Sequence, residues 1–290
     1  MIAEPRGGPR YETETATDMH ATFCTPFPEL NIILRELVRR LRQVLGNNFI
    51  GAYLQGSFAV GGCDEYSDCD FAIAVNQDLS ESELQELRSI HRRIYNFDMA
   101  WAKALEGSYF PKAILRDYNQ SGSDLWYLEN GRSELERSNH CNKVVVKWIL
   151  RERGVILSGP EPSTLIDPIP VEVLRRAIFN SINDSGQMIL ANPGQYNNRF
   201  YQSFIVLHFC RKLHDLHTGM VGSKRAGAEW AKHHLGQSWG DLVDRAWNGR
   251  PDPAVSIRQP ADETDFKNTL ELIKEIMHSA TEFAAAHLGT

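Results

Sequence analysis

The chain has 290 residues, 42% of them hydrophobic and 23% charged, which is the composition of a globular protein large enough for two domains of ordinary size. Its formal net charge of −6 disfavours a nucleic-acid-binding role, because such proteins usually carry a basic excess, and it permits a small cationic partner. No apolar run reaches the roughly 18 residues of a membrane span. The first 25 residues have no signal-peptide core, so we expect a flexible leader and a cytoplasmic protein without a membrane partner. The five cysteines form no CxxC pair, which predicts reduced thiols.

Helical and strand patterns alternate in the first 160 residues. Leucines and isoleucines at helical spacing predict a helix over residues 28–47, and another helix follows Ser80, a favourable N-cap. Two shorter segments, PKAILRDY and NKVVVKWILRERG, also have helical patterns. Apolar runs predict strands in FIGAYLQ, CDFAIAV, MAWAKALEGSYF, DLWYLEN and VILSGPEP. This alternation predicts an α/β domain with a mixed sheet.

Beyond Pro162 the pattern is helical almost throughout. Helices are predicted over residues 170–190, 197–217, 223–235, 239–248 and 262–288. The proline-rich segment SGPEPSTLIDPIP interrupts both periodicities. We therefore expect a leader over 1–25, an α/β domain over 26–163 and an all-helical domain over 164–290.

Two carboxylates stand at the entrance of the second apolar strand. Asp68 and Asp70 follow Gly56-Ser57 after ten intervening residues. Residues two apart in a strand point to the same side, so the two carboxylates would repel each other unless a cation joins them. Mg²⁺ takes oxygen ligands from one or two carboxylates together with substrate phosphates. The glycine and the serine supply a closely approaching backbone and a hydroxyl donor for a triphosphate. Asp-x-Asp alone is common in turns, but in this context it predicts a metal–nucleotide site.

The combination of Gly-Ser, ten residues and Asp-x-Asp resembles the signature of the nucleotidyltransferase superfamily. Two longer segments, WILRERGVILSGPEP and VLHFCRKLHDLHTGMVGSKRAGAEWAKHHL, resemble the aminoglycoside adenylyltransferases of the streptomycin and spectinomycin type. The resemblance implies a nucleotidyltransferase-type mixed-sheet domain followed by an all-helical domain. It also implies Mg²⁺-dependent transfer of AMP from ATP to a hydroxyl of a small, polyhydroxylated, cationic acceptor, with release of pyrophosphate.

A third carboxylate is implied on a strand beside the two aspartates. The candidate is Glu106 in KALEGSYFP, and the competitor is Asp98, which precedes the body of that strand. In the implied site Asp68, Asp70 and Glu106 hold the metal, and Glu106 accepts the proton of the acceptor hydroxyl.

The nucleotide contacts come from both domains. The Gly-Ser pair contributes Gly56 and Ser57, and the resemblance adds Ser67, Arg211 and Lys224. Arg211 lies on the apolar face of its helix, where a buried cation needs an anionic partner. Lys224 begins a helix directly after a Gly-Ser, a position that attracts phosphate.

The acceptor site has weaker signals. Tyr201-Gln202 stands where the streptomycin-type enzymes carry an acidic residue, which makes streptomycin the least favoured drug of its class. Three further residues, Asp124, Trp126 and Glu129, are candidates for an acceptor pocket.

Two other functions compete with antibiotic modification. One is AMP transfer onto a protein partner, as in nucleotidyltransferase antitoxins; the spacing of Arg211 and His217 resembles that of helical ribonuclease partners of such proteins. The other is a regulatory module with a degenerate nucleotide site, against which the intact set of carboxylates argues. We expect ATP and a small molecule as partners, no nucleic acid, and a monomer or weak homodimer.

Overall fold

The computed structural model describes residues 25–250 and 253–289. The predicted leader lies outside these ranges except for its last residue. Within them, six strands form one mixed sheet. The strands are β1 (Phe49–Leu54), β2 (Cys69–Val75), β3 (Leu105–Pro111), β4 (Leu125–Leu128), β5 (Leu135–Ser138) and β6 (Val155–Ser158). Their order across the sheet is β5-β4-β3-β2-β1-β6. β2 and β3 run parallel, and every other neighbouring pair is antiparallel.

The helices divide at the end of β6. Those interleaved with the strands are α1 (Pro28–Leu45), α2 (Gly56–Val60), α3 (Glu81–Tyr95), α4 (Lys112–Arg116) and α5 (Val144–Arg153). Those that follow are α6 (Val171–Ala191), α7 (Arg199–Thr218), α8 (Lys224–His234), α9 (Gln237–Asn248), α10 (Pro253–Ser256) and α11 (Glu263–His287). The predicted fold class, a mixed-sheet domain followed by helices, is confirmed. We propose that the predicted domain boundary at residues 163–164 lies in the connection between β6 and α6.

Local chemistry accounts for several helix ends. Ser80 and Glu83 form a capping box at the start of α3, in which the Ser80 backbone N–H donates to Glu83 Oε2 at 2.7 Å. The Pro28 ring occupies the first turn of α1, where no backbone donor is needed. Gly219 ends α7 in the left-handed region, with φ of 69°.

Three local predictions need correction. The first half of the predicted strand MAWAKALEGSYF is a 3₁₀ helix, Ala100–Lys103, because Trp101 turns inward to pack on Phe27, with ring centroids 4.7 Å apart. The β5 strand was missed because its sequence, LERS, has a single apolar residue and no visible alternation. The helix α2 was also missed, since it has only 5 residues, too few to show a helical periodicity in the sequence.

The two domains share part of their packing. On one face of the sheet, α1 and α3 cover a core that includes Leu37, Phe71 and Leu87. The helical domain has its own core around α6, α7 and α11, and Ile149 of α5 belongs to it. Ala59 and the neighbouring Val60 of α2 pack against the same core. The segment that carries Gly56 and Ser57 is therefore anchored against the helical domain.

Cys63, Cys141 and Cys210 are free thiols. Among the helices in the described ranges, none has the length and apolarity needed to span a lipid bilayer.

Candidate active site

A cavity of about 470 Å³ lies between the start of the two parallel strands and the helices α7 and α8. The charges of its two walls have opposite signs. The sheet domain contributes the carboxylates Asp64, Asp68, Asp70 and Glu106. The helical domain contributes the cations Arg211, Lys224 and Arg250 and the stacked rings of Phe200, Phe204 and His208.

The carboxylates predicted from the sequence come together here. Asp68 directly precedes β2, Asp70 is the second residue of that strand, and the parallel register places Glu106 of β3 beside Asp70. Burial, followed by the charges of Glu106 and Asp68, raises the pKa of Asp70 to about 7. Asp68 is more accessible, but desolvation within the cleft, followed by the Glu106 charge, raises its pKa to about 6. Asp98 is exposed and does not line the cavity, so the geometry favours Glu106 as the third carboxylate.

Glu106 has two neighbours that the sequence did not indicate. The Tyr127 hydroxyl donates to Glu106 Oε1 at 2.8 Å, and His140 Nε2 lies 3.3 Å from the same oxygen. The hydrogen bond to Glu106 is also the main cause that raises the pKa of His140. Tyr127 and Trp126 are neighbours in β4, so their side chains point to opposite faces of the sheet. The register of this strand would therefore have placed Tyr127 on the same side as Glu106. Both contacts engage Oε1, which leaves Oε2 for other partners.

Asn130 is a further residue that the sequence did not indicate. Its side-chain amide donates a short hydrogen bond to Asp68 Oδ1. It lies in the turn after β4, where no sequence pattern distinguished it from an ordinary loop residue.

The Gly-Ser pair is tightly packed against the carboxylates. Gly56 has φ of 55°, and a Cβ atom at this position would overlap the Asp70 carboxylate, so glycine is required here. The Ser57 hydroxyl is buried and has no hydrogen-bond partner in the described part of the chain. Because a buried hydroxyl without a partner is unfavourable, a ligand oxygen at Ser57 would stabilise the site. Ser67 also lines the cavity, but its hydroxyl is engaged with Asp64 at 3.0 Å.

The two predicted cations also face the cavity. Arg211 Nη2 donates to His208 Nδ1 at 3.2 Å, and its Nε is buried without a partner in the described residues. Lys224 is the first residue of α8, and its ammonium lies 5.2 Å from the centroid of the Phe204 ring. Burial, followed by the nearby Arg211 charge, lowers the pKa of Lys224. Neither cation forms an ion pair with a carboxylate of the described residues, so an anionic ligand would complement both.

Tyr201 and Gln202, which stand at the position of the acidic residue of the streptomycin-type enzymes, do not line the cavity. Tyr201 packs edge-on against Tyr196, and Gln202 accepts a hydrogen bond from the Asp262 backbone at 3.1 Å. Along this turn of α7 the cavity is lined instead by Phe200 and Ser203, among others. The position that would carry the acidic residue therefore faces away from the cavity.

The acceptor-pocket candidates Asp124, Trp126 and Glu129 do not line this cavity. The Trp126 ring lies between the guanidinium groups of Arg88 and Arg137, 5.5 and 5.2 Å from its centroid. Neither Asp124 nor Glu129 lines the cavity.

Arg211 and His217, paired by spacing in the sequence, serve different surroundings. His217 packs against the rings of Trp230 and Phe283, with centroids 5.1 and 4.6 Å away. Arg211 lines the cavity, whereas His217 does not. The spacing therefore does not build a shared site.

The carboxylates fit a metal ion that also binds a nucleotide. Within the described ranges, no three His, Cys, Asp or Glu side chains converge closely enough to hold a metal by themselves. Mg²⁺ does not require this, because one or two carboxylates and substrate phosphates usually complete its shell. The raised pKa values of Asp68 and Asp70 indicate carboxylates that a divalent cation would stabilise in the charged form.

The sequence of this chain is similar to those of known adenylyltransferases. Residues 164–277 match a family model described as the C-terminal domain of aminoglycoside adenylyltransferases. A spectinomycin 9-adenylyltransferase from Staphylococcus aureus (strain Mu50) is 26% identical over 227 residues, which are 74% of this chain and 82% of that protein. A second one, from Campylobacter jejuni, is 23% identical over 230 residues, with coverages of 73% and 82%.

The fold has a solved counterpart. The crystal structure of spectinomycin adenyltransferase AAD(9) from Enterococcus faecialis with ATP and spectinomycin matches with a TM-score of 0.64. The match covers 86% of this chain and 98% of the other at 16% identity, which establishes a common fold.

Proposed function

We propose that this chain, a nucleotidyltransferase related to the aminoglycoside adenylyltransferases, transfers AMP from ATP to a hydroxyl of an aminoglycoside or aminocyclitol and releases pyrophosphate. One observation carries the proposal: one cavity between the domains has three adjacent carboxylates on one wall and, on the other, two cations that form no ion pair with a carboxylate of the described residues. This division of charge suits a triphosphate, because phosphoryl-type transfer depends mainly on positioning and on neutralisation of charge.

The chain's own groups would bind the triphosphate from both sides. Ser57 offers a hydroxyl that has no hydrogen-bond partner in the part of the chain that the structure describes, and Gly56 lets the backbone approach closely. Arg211 and Lys224 would complement the phosphate charge from the helical wall. Asp68 and Asp70, with Glu106 as a third candidate ligand, would hold a Mg²⁺ ion, which supplies further neutralisation of the triphosphate charge when bound.

Glu106 is the proposed general base. Its Oε1 is held by Tyr127 and lies beside His140, so Oε2 is the atom available to take the proton of the acceptor hydroxyl. As that O–H bond breaks, the acceptor oxygen forms a bond to the α-phosphorus of ATP. The bond from the α-phosphorus to the bridging oxygen breaks, and its electron pair leaves with pyrophosphate. Arg211 and Lys224 would offset the negative charge that moves onto the leaving group.

The names of the relatives make spectinomycin the first acceptor to test. The experiment measures pyrophosphate release from ATP and Mg²⁺ with spectinomycin, streptomycin and other aminoglycosides, and the growth of a host that expresses the gene on the same drugs. We expect turnover with spectinomycin that is lost in Glu106→Gln and retained in the matched control Asp98→Asn. No pyrophosphate release with any of these drugs, in a protein that binds ATP, would reject the antibiotic as acceptor.

A further inference from the structure

One ion pair joins the two domains at the rim of the cavity. Arg250, which lies just after α9, donates from Nη2 to Asp64 Oδ2 at 2.9 Å. Both residues line the cavity, and their side chains are 30% and 25% exposed, so the pair is only partly screened by water. The Arg250 guanidinium also lies over the Trp247 ring, 4.0 Å from its centroid, which fixes its position.

Asp64 uses its other oxygen to build the turn before the first predicted metal ligand. Oδ1 accepts from the Tyr66 backbone N–H at 3.2 Å and from the Ser67 hydroxyl at 3.0 Å. The Asp64 backbone N–H in turn donates to the Ser67 hydroxyl at 3.0 Å. One carboxylate therefore folds the turn that carries Ser67 and Asp68, and the same carboxylate attaches that turn to the helical domain.

The loop that contains this turn meets the helical domain at a second point. A Cβ atom at Gly62 would lie 2.9 Å from the Cβ of Ser223, the residue that caps α8 directly before Lys224. Along the rim, the loop is thus held between the start of α8 and the end of α9. The positive charge of Arg250 also helps to lower the pKa of Lys224.

We propose that Asp64 and Arg250 form an interdomain clamp, and that both are positioning residues for nucleotide binding. The clamp holds the turn of residues 64–67, and with it Ser67, at a set distance from the helical wall that carries Lys224. Without the ion pair, ATP would have to order this loop as it binds, and this ordering would cost part of its affinity. The inference rests on the proposed function, because it takes the cavity as the ATP site.

A double-mutant cycle tests the clamp through the affinity for ATP with Mg²⁺, measured by calorimetry without an acceptor. Asp64→Asn keeps an oxygen for the Oδ1 contacts of the turn and removes the charge, and Arg250→Gln removes the other partner. We expect each single variant to raise the Kd about fivefold, and the double variant to raise it no further, because all three lack the same pair. Arg250→Lys, which keeps the charge, should recover most of the affinity.

Arg245→Gln is the matched control. Arg245 lies on α9 and pairs with Asp265 at 2.7 Å, but this ion pair lies within the helical domain and does not line the cavity. We expect this variant to bind ATP like the wild type. Hydrogen exchange without nucleotide should be faster at the Tyr66 and Ser67 amides in Arg250→Gln and unchanged in the control.

Three results would overturn the proposal in different ways. An unchanged Kd for ATP in Arg250→Gln would mean that the ion pair stabilises the fold but does not position the loop for nucleotide binding. Tighter ATP binding in Asp64→Asn would make Arg250 a direct phosphate ligand that Asp64 restrains. A wild-type protein that binds no ATP would refute the proposed function itself, and the clamp with it.

Discussion

Acidification should destabilise the sheet domain through His91, a buried histidine outside the candidate active site. Its side chain is 2% exposed and stacks on Phe71, with ring centroids 6.0 Å apart. Nε2 lies 2.7 Å from the Tyr109 hydroxyl, and Nδ1 is buried with no partner among the described residues. Burial lowers the pKa of His91 from its usual value of 6.5 to about 4. The folded state therefore favours the neutral ring.

The sign and size of the effect follow from proton linkage. Between pH 6.5 and about 4 the unfolded chain binds a proton that the folded chain does not, so stability is present above this window and is lost as the pH falls through it. From pH 7 to pH 5 the loss amounts to about 2 kcal/mol, at 1.36 kcal/mol for each unit of pKa difference.

Urea unfolding at pH 7 and pH 5, followed by circular dichroism, would measure this loss. In His91→Gln the amide can still bond to the Tyr109 hydroxyl but does not titrate, so its stability should fall by about 2 kcal/mol less than that of the wild type. The matched control is His278→Gln, at a side chain that is 68% exposed, and this variant should follow the wild type. Equal losses in the wild type and His91→Gln would refute the reasoning.

Three further predictions concern the candidate site and its support. Asp70→Asn should lower the rate of pyrophosphate release at least ~100-fold and raise the Tm of the unliganded protein, because it removes one of three neighbouring carboxylate charges; a lower Tm would contradict this. Lys224→Gln should weaken ATP binding about tenfold in calorimetry, whereas Lys232→Gln, at an exposed pair on the same helix, should not. Gly227→Ala should cost about 1–3 kcal/mol in urea unfolding, because its Cβ would overlap the α7 backbone. Gly240→Ala, which faces open space in α9, should instead stabilise by about 0.5–1 kcal/mol.

The elements that depend on local chemistry could be predicted from the sequence. The strand CDFAIAV has the bounds Cys69–Val75 in the structure, because a continuous apolar run between polar turns has few alternatives to a buried strand. Ser80 caps α3 as expected, since its partner Glu83 lies only three residues away. The motif of Gly56-Ser57 with Asp68 and Asp70 was also visible in the sequence, because its residues lie in one short segment between two apolar strands.

The residues on the acceptor side of the cavity could not be predicted from the sequence in the same way. Trp126 was a candidate for the acceptor pocket, but the pleat of β4, which only the sheet register determines, turns this ring away from the cavity and the Tyr127 hydroxyl towards Glu106. Tyr201 and Gln202 were placed by alignment along α7, but the rotation of that helix against its neighbours presents Phe200 and Ser203 instead. The residue pattern along one face of a helix does not show whether that face lines a cavity or packs into a core.

The sequence by itself determined the order of the elements, the change from a sheet to helices, and the motif with its two aspartates. Only the tertiary structure shows that the parallel register of β2 and β3 places Glu106 beside Asp70, whereas Asp98 is exposed. It alone brought Arg250 to Asp64. Such partners lie far apart along the chain, so no spacing or periodicity links them. They meet because α2 and α5 of the sheet domain pack into the core of the helical domain, and the polar side chains at the rim take the positions that this packing leaves to them.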